Sequence, residues 1–159
     1  MEFYNNEEVC FQQIKRTAKM MIGQEDIDNI KRIDIPDFDD EESEIIKELH
    51  KKLLKRSMNK NDSNEVGMLV NLQDWTNIMI NGTENGVTLK KDKAASNLIC
   101  TATKNSLLFF HNHPKNSCFS EKDLESFMIS DAIKMMSVVC NNGRLYYLIK
   151  MDTFDKCEA

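Results

Sequence analysis

Glycine and proline are scarce in this chain, five and two among 159 residues. With so few breaking positions, low-complexity linker is not expected. No apolar run approaches the length of a membrane span. The N-terminus, MEFYNNEEVC, has neither a basic segment nor an apolar one behind it, so no secretory leader is read there. The five cysteines, Cys10, Cys100, Cys118, Cys140 and Cys157, are widely spaced, odd in number and without a C-x-x-C pair. That usage suits a cytoplasmic protein with reduced thiols, most of them small buried hydrophobes. Excess positive charge is missing too, since the net charge is −5. Neither nucleic acid nor membrane is an expected partner.

What is present is ordinary for a globular chain: 41% hydrophobic and 30% charged residues. At this length one domain can bury roughly two thirds of the surface its unfolded form exposes. A core without disulfides is therefore feasible.

Val9, Ile14, Met20 and Met21 predict a helix over 7–22, stopped by Gly23. Residues 24–40 are polar and acidic around Pro36 and read as a connector with one helical turn near Ile27–Ile30. A second helix covers 41–58, with Ile45, Ile46, Leu49, Leu53 and Leu54 in one stripe, glutamates early and lysines late. His50 is expected at its surface or boundary. NKNDSN at 59–64 ends that helix. Strands are then expected at 65–72, 75–82, 86–90, 106–112, 135–140 and 144–150, and helices at 92–102 and 120–130. Asn141-Asn142-Gly143 marks a hairpin between the last two strands. The interleaving implies an α/β fold with one central sheet flanked by helices. An N-terminal helical, acidic arm is expected over 1–40 and the main domain over 41–159.

The most informative stretch is LLFFHNHPKNSCFSEKD, residues 107–123. Side chains alternate along a strand, so His111 and His113 share one face and Asn112 takes the other. Pro114 stops the strand from continuing as a central ladder member. Ser120 opens a helix and Asp123 lies in its first turn, where a carboxylate can face back to the strand end. Two nitrogens and one carboxylate oxygen, with a fourth position for water, describe a catalytic zinc site. Ser-Glu-Lys-Asp is also a variant capping box, and the two roles are compatible. A general base is needed beside the metal. Glu65, a charge opening an apolar strand, is the best candidate, and Glu84, in a Gly/Asn-rich turn, the weaker one. Cys118 is a remote alternative as ligand or nucleophile.

Other metal and nuclease patterns fit less well. The letters His-Asn-His are contiguous here, whereas HNH nucleases disperse them over a ββα unit. H-x-E with P-C-x-x-C is missing, as is H-E-x-x-H.

Glu65 ahead of Gly67-Met68-Leu69, His111-x-His113-Pro114 and Ser120-x-x-Asp123 together resemble the JAMM (MPN+) metalloprotease signature, in the style of RadC-like and short bacterial or prophage members. The resemblance runs from about residue 41 to about 150. It implies a cytidine-deaminase-like α/β sandwich holding one zinc ion. His111, His113 and Asp123 would be the ligands, Glu65 the acid/base, and Ser120 a helper in stabilising the oxyanion. The implied reaction is hydrolysis of a peptide or isopeptide amide, with a peptide or protein substrate such as a ubiquitin-like conjugate. The gap from His113 to Ser120, and the distance from Glu65 to the following glycine, are each one residue shorter than in the eukaryotic deubiquitinases. The competing expectation is a zinc-containing binding or assembly module of the same kind, with little or no turnover.

Overall fold

The order of helix and strand segments is that of a mixed sheet clad on both faces. The structure is a computed structural model that describes residues 2–4, as backbone, and 18–151. Its strands are β1 (Glu2–Tyr4), β2 (Val66–Asn71), β3 (Asn77–Asn81), β4 (Leu107–His113), β5 (Ile133–Cys140) and β6 (Leu145–Ile149). They lie in the order β1-β6-β5-β4-β2-β3. Only β4 and β5 are parallel; the other pairs are antiparallel. The helices are α1 (Gln24–Asp28), α2 (Asp40–Lys60), α3 (Lys93–Thr101) and α4 (Glu121–Ile129). The parallel pair is connected through α4, as a crossover requires. The β5–β6 hairpin turns at Gly143, whose φ of +85° is in the region that favours glycine.

Two cores flank the sheet. On one face, Ile46, Leu53 and Leu54 of α2 pack with Val66, Met68, Val70, Leu108, Phe110, Met135 and Val139. On the other, Ala95 of α3 and Phe127 of α4 pack with Leu69, Phe109, Ile133, Met136 and Leu148. Alternation along β2 and β4 sorts these residues, odd numbers to the α3/α4 face and even numbers to the α2 face. Each fully buried Leu, Ile or Phe contributes about 1.5–3 kcal/mol, so the two faces together drive the fold.

α2 begins at a capping box. The Asp39 side chain accepts from Glu42 N at 2.8 Å, and the Glu42 carboxylate accepts from Asp39 N at 3.0 Å. Ile22, Ile27, Ile30 and Ile35 are buried in the same core as α2 and the sheet. Residues 18–40 therefore share the hydrophobic core of the main domain.

Three expectations need revision or fall elsewhere. Most of the helix expected over 7–22 lies outside the described residues, and 18–22 are irregular. No strand forms at 86–90; Thr83 and Gly86 make one isolated bridge and Leu89–Lys91 a single 3₁₀ turn. His50 is fully buried rather than at the surface. Its Nε2 lies 2.8 Å from Ser137 Oγ, its ring sits 4.5 Å from that of Phe110, and its Nδ1 has no partner among the described residues. The lysines around it in sequence point outward, but a helix repeat of 3.6 turns position 50 onto the line of Ile46, Leu53 and Leu54.

Burial depresses the His50 pKa to about 3, because the charged ring would lie in the core without a counter-ion. The unfolded chain then binds one proton more than the native one between pH 6.5 and 3. Its contribution is complete above pH 6.5 and is lost as pH falls through that window, by at most about 1.4 kcal/mol per unit. Denaturation midpoints followed from pH 7.5 down to 5 should fall accordingly. The slope should flatten in His50→Met; an equal slope in both proteins would mean that His50 does not titrate this way.

Candidate metal centre

The site forms where the C-terminal end of β4 meets the N-terminal end of β2. Their antiparallel register places Gly67 opposite His111. Two residues further on, the same register sets Glu65 opposite His113, with both side chains on the α3/α4 face. His111 continues the row of Leu107 and Phe109 and stacks on Phe109, ring centroids 5.1 Å apart. α4 then folds back over this face and delivers Asp123.

His111 Nε2 and His113 Nε2 are 3.1 Å apart. Asp123 Oδ1 is 3.2 Å from the first and Oδ2 is 3.4 Å from the second. A tetrahedral ion with ligands at 2.0–2.1 Å has edges of about 3.3–3.4 Å, so the spacing of the two imidazole nitrogens is close to that of two ligands on one ion, with a different Asp123 oxygen beside each. A single proton can bridge only two of the three side chains, whereas a cation can be shared by all three. His113 Nδ1 lies 2.9 Å from the Ser117 carbonyl, which can only accept, so Nδ1 carries a hydrogen, and in the neutral ring Nε2 is the nitrogen left with a lone pair toward the centre. His111 Nδ1 is buried and has no partner among the described residues.

A second, looser set shares the same imidazoles. Glu65, His111 and His113 are all buried, place their ligand atoms within 4.8 Å of one another, and could hold a metal ion. Asp123 joins the same imidazoles from α4, so two carboxylates, Glu65 and Asp123, border the histidine pair.

The electrostatics separate the two carboxylates. Burial pushes the Glu65 carboxyl above the usual range. The charges of His111 and His113 oppose that, Asp123 reinforces it, and a hydrogen bond from the Val87 backbone opposes it. For Asp123 burial also acts upward, but hydrogen bonds from His111 and His113 override it and hold the group well below the usual carboxylate range. Burial acts downward on His113, yet its bond to Asp123 and the nearby Glu65 charge leave it raised. One acid is thus biased to hold a proton and the other to stay ionised.

Ser120 is the N-cap of α4. Its Oγ donates to Asp123 Oδ2 at 2.7 Å, its N–H donates to the same oxygen at 2.7 Å, and Asp123 N donates back to Oγ at 3.2 Å. The capping box therefore aims the Asp123 carboxylate at the imidazoles. Glu84 is exposed on the rim and not in the cluster, and Cys118 is half-buried and outside it.

The centre lies in a cleft of 1020 Å³, walled by residues 83–90 on one side and by Pro114, Ser117, Ser120 and α4 on the other. Lys115 Nζ reaches Asn85 Oδ1 at 3.2 Å and links the two walls. The 83–90 wall is seated by two glycines. A Cβ on Gly67 would come 3.1 Å from both Val87 and Phe109, and one on Gly82 would come 2.3 Å from the Gly86 carbonyl. Val87, seated in this way, donates from its backbone to Glu65. Val87 and Ser117 carried no sequence signal, because each acts through its backbone.

Scans against family models, curated proteins and solved structures returned no match. Among the described residues, no helix is long and apolar enough to cross a membrane. Gly82→Ala should cost about 1–3 kcal/mol, since the obstacle is backbone that must move. Chemical denaturation reads this directly. An unchanged midpoint would mean that the 83–90 wall is not seated as described.

Proposed function

We propose that the chain is a zinc-dependent hydrolase of the JAMM (MPN+) kind that cleaves a peptide or isopeptide amide bond. The observation that carries this reading is the convergence of His111, His113 and Asp123 on one point, with the buried carboxylate of Glu65 behind it. Two imidazoles and one carboxylate suit zinc better than calcium or magnesium, which favour all-oxygen sites. When bound there, the ion supplies a Lewis acid and makes a water acidic near neutral pH.

The chain's own residues supply the rest. Glu65 takes the proton of the attacking water and returns one to the departing amine. A carboxyl biased upward by burial is suited to that exchange. Asp123, held ionised, balances the positive charge at the centre. Ser120 faces the same cleft, and its hydroxyl can turn from Asp123 toward the developing oxyanion. The cleft, 1020 Å³ in volume, has room for a substrate segment beside the centre. The α/β architecture is compatible with the cytidine-deaminase-like sandwich of this family.

Metal analysis of protein purified without an affinity metal should find close to one zinc per chain, lost in His113→Ala. Glu65→Gln should still load zinc when it is supplied, though about tenfold more weakly, and lose roughly 10²–10⁴-fold in amide hydrolysis on whichever peptide or isopeptide substrate the wild type cleaves. No zinc uptake, even with zinc offered in excess, would overturn the proposal. Full activity in Glu65→Gln would remove Glu65 from the mechanism. Zinc retained without turnover on a broad panel would assign a binding module instead.

A further inference from the structure

Asn112, between the two histidines, faces away from the centre and is fully buried. It nevertheless grips the chain on both sides of Glu65. Val66 N donates to its Oδ1 at 2.7 Å, and its Nδ2 donates to Asn64 O at 3.2 Å. The amide orientation is settled by chemistry, because Val66 N–H can only donate and the Asn64 carbonyl can only accept. Nδ2 also reaches Ser57 Oγ at 3.2 Å and Asn141 Oδ1 at 2.8 Å.

Asn141 extends the clamp. Its Nδ2 donates to Ser63 O at 2.9 Å and to Met20 O at 2.7 Å, and its backbone N–H donates to His113 O at 3.2 Å. The loop so held is one that resists its own shape. Asp62 and Ser63 have φ of 50° and 56°, in the left-handed region that costs about 1–2 kcal/mol for residues with a Cβ. Glu65 itself is bonded on its other side, N–H to Thr83 O at 2.9 Å and carbonyl from Gly82 N at 2.7 Å and Asn61 Nδ2 at 2.9 Å, so Asn112 is what joins this segment to β4.

We propose that Asn112 is a positioning residue: it sets the Glu65 carboxylate against the His111/His113 pair by tying both peptide neighbours of Glu65 to the strand that carries the histidines. The two faces of β4 thus divide the work, one holding the centre and the other holding the base. This inference rests on Glu65 working beside a metal at this site, and its test is chosen to fail separately from that reading.

The test uses zinc alone, measured by competition with a chelating dye, in wild type, Glu65→Gln, Asn112→Ala and the double variant. Removing the nearby carboxylate should weaken zinc by about tenfold in the wild-type background. In the Asn112→Ala background the same change should have an effect of less than about threefold, a coupling that a general loss of stability would not produce. Additive effects would overturn the proposal. Asn112→Asp is carried in parallel, because it is nearly isosteric and keeps the acceptor for Val66 while losing the donor to Asn64; it should show an intermediate coupling.

Hydrogen exchange at single amides gives a second reading that needs no metal. The Val66 amide should exchange at least about tenfold faster in Asn112→Ala, while amides in the middle of β5 keep their protection. Unchanged Val66 protection would overturn the inference. If the wild type takes up no zinc, the proposed function falls, and the exchange result alone decides whether Asn112 holds the loop.

Discussion

The site depends on the pairing of β2 with β4. Side chains in a sheet alternate, so a slip of one residue would turn Glu65 toward α2 and set Val66 against the histidines. The register is secured from both faces. Apolar residues on each side match separate cores, and Asn112 hydrogen-bonds across the pair at its end. Because β2 and β4 are antiparallel, the start of one strand coincides with the end of the other. Residues 65 and 113, far apart in sequence, then meet at adjacent strand ends.

β4 is buried along its whole length, and this sets the terms for its polar end. Leu107 to Phe110 bring a favourable transfer energy; His111, Asn112 and His113 must each find partners or cost about 1–3 kcal/mol. Asn112 finds four protein groups. The two imidazoles find each other and Asp123, a set of three acceptor-bearing groups that a cation completes better than a proton does. On this view the same burial that stabilises the strand also prepares its last residues to hold an ion.

The Ser120–Asp123 pair shows that helix capping and site chemistry are one arrangement here. A Glu at position 123, the commoner capping-box residue, would be one methylene longer and would alter the distance to the imidazoles. The cap fixes the rotamer of the carboxylate, and a fixed carboxylate loses less freedom on meeting an ion. The 83–90 wall plays the corresponding part for Glu65 through the backbone of Val87.

Much of this was legible in the residues themselves. Period-two alternation put His111 and His113 on one face, and the helix start at Ser120 put Asp123 within reach. Glu65 stood out as a charge at the head of an apolar strand. The α2 stripe, the alternation of strands and helices and the Asn-Asn-Gly hairpin were equally local, since each rests on spacing within one element. Other features depended on partners distant in sequence. His50 is buried because Ser137 and Phe110 receive it, and nothing nearby in the chain announces them. Residues 86–90 have a strand-like composition, yet close approach at Gly67 and Gly82 bends them into a wall. Alternation places Asn112 on the opposite face, but its partners at residues 57, 64, 66 and 141 come from other segments. The sequence by itself determined which side chains are able to act and which face each occupies, because those follow from the local repeat. Only the tertiary structure decided which of them meet, because register and burial come from contacts between segments that local spacing does not encode.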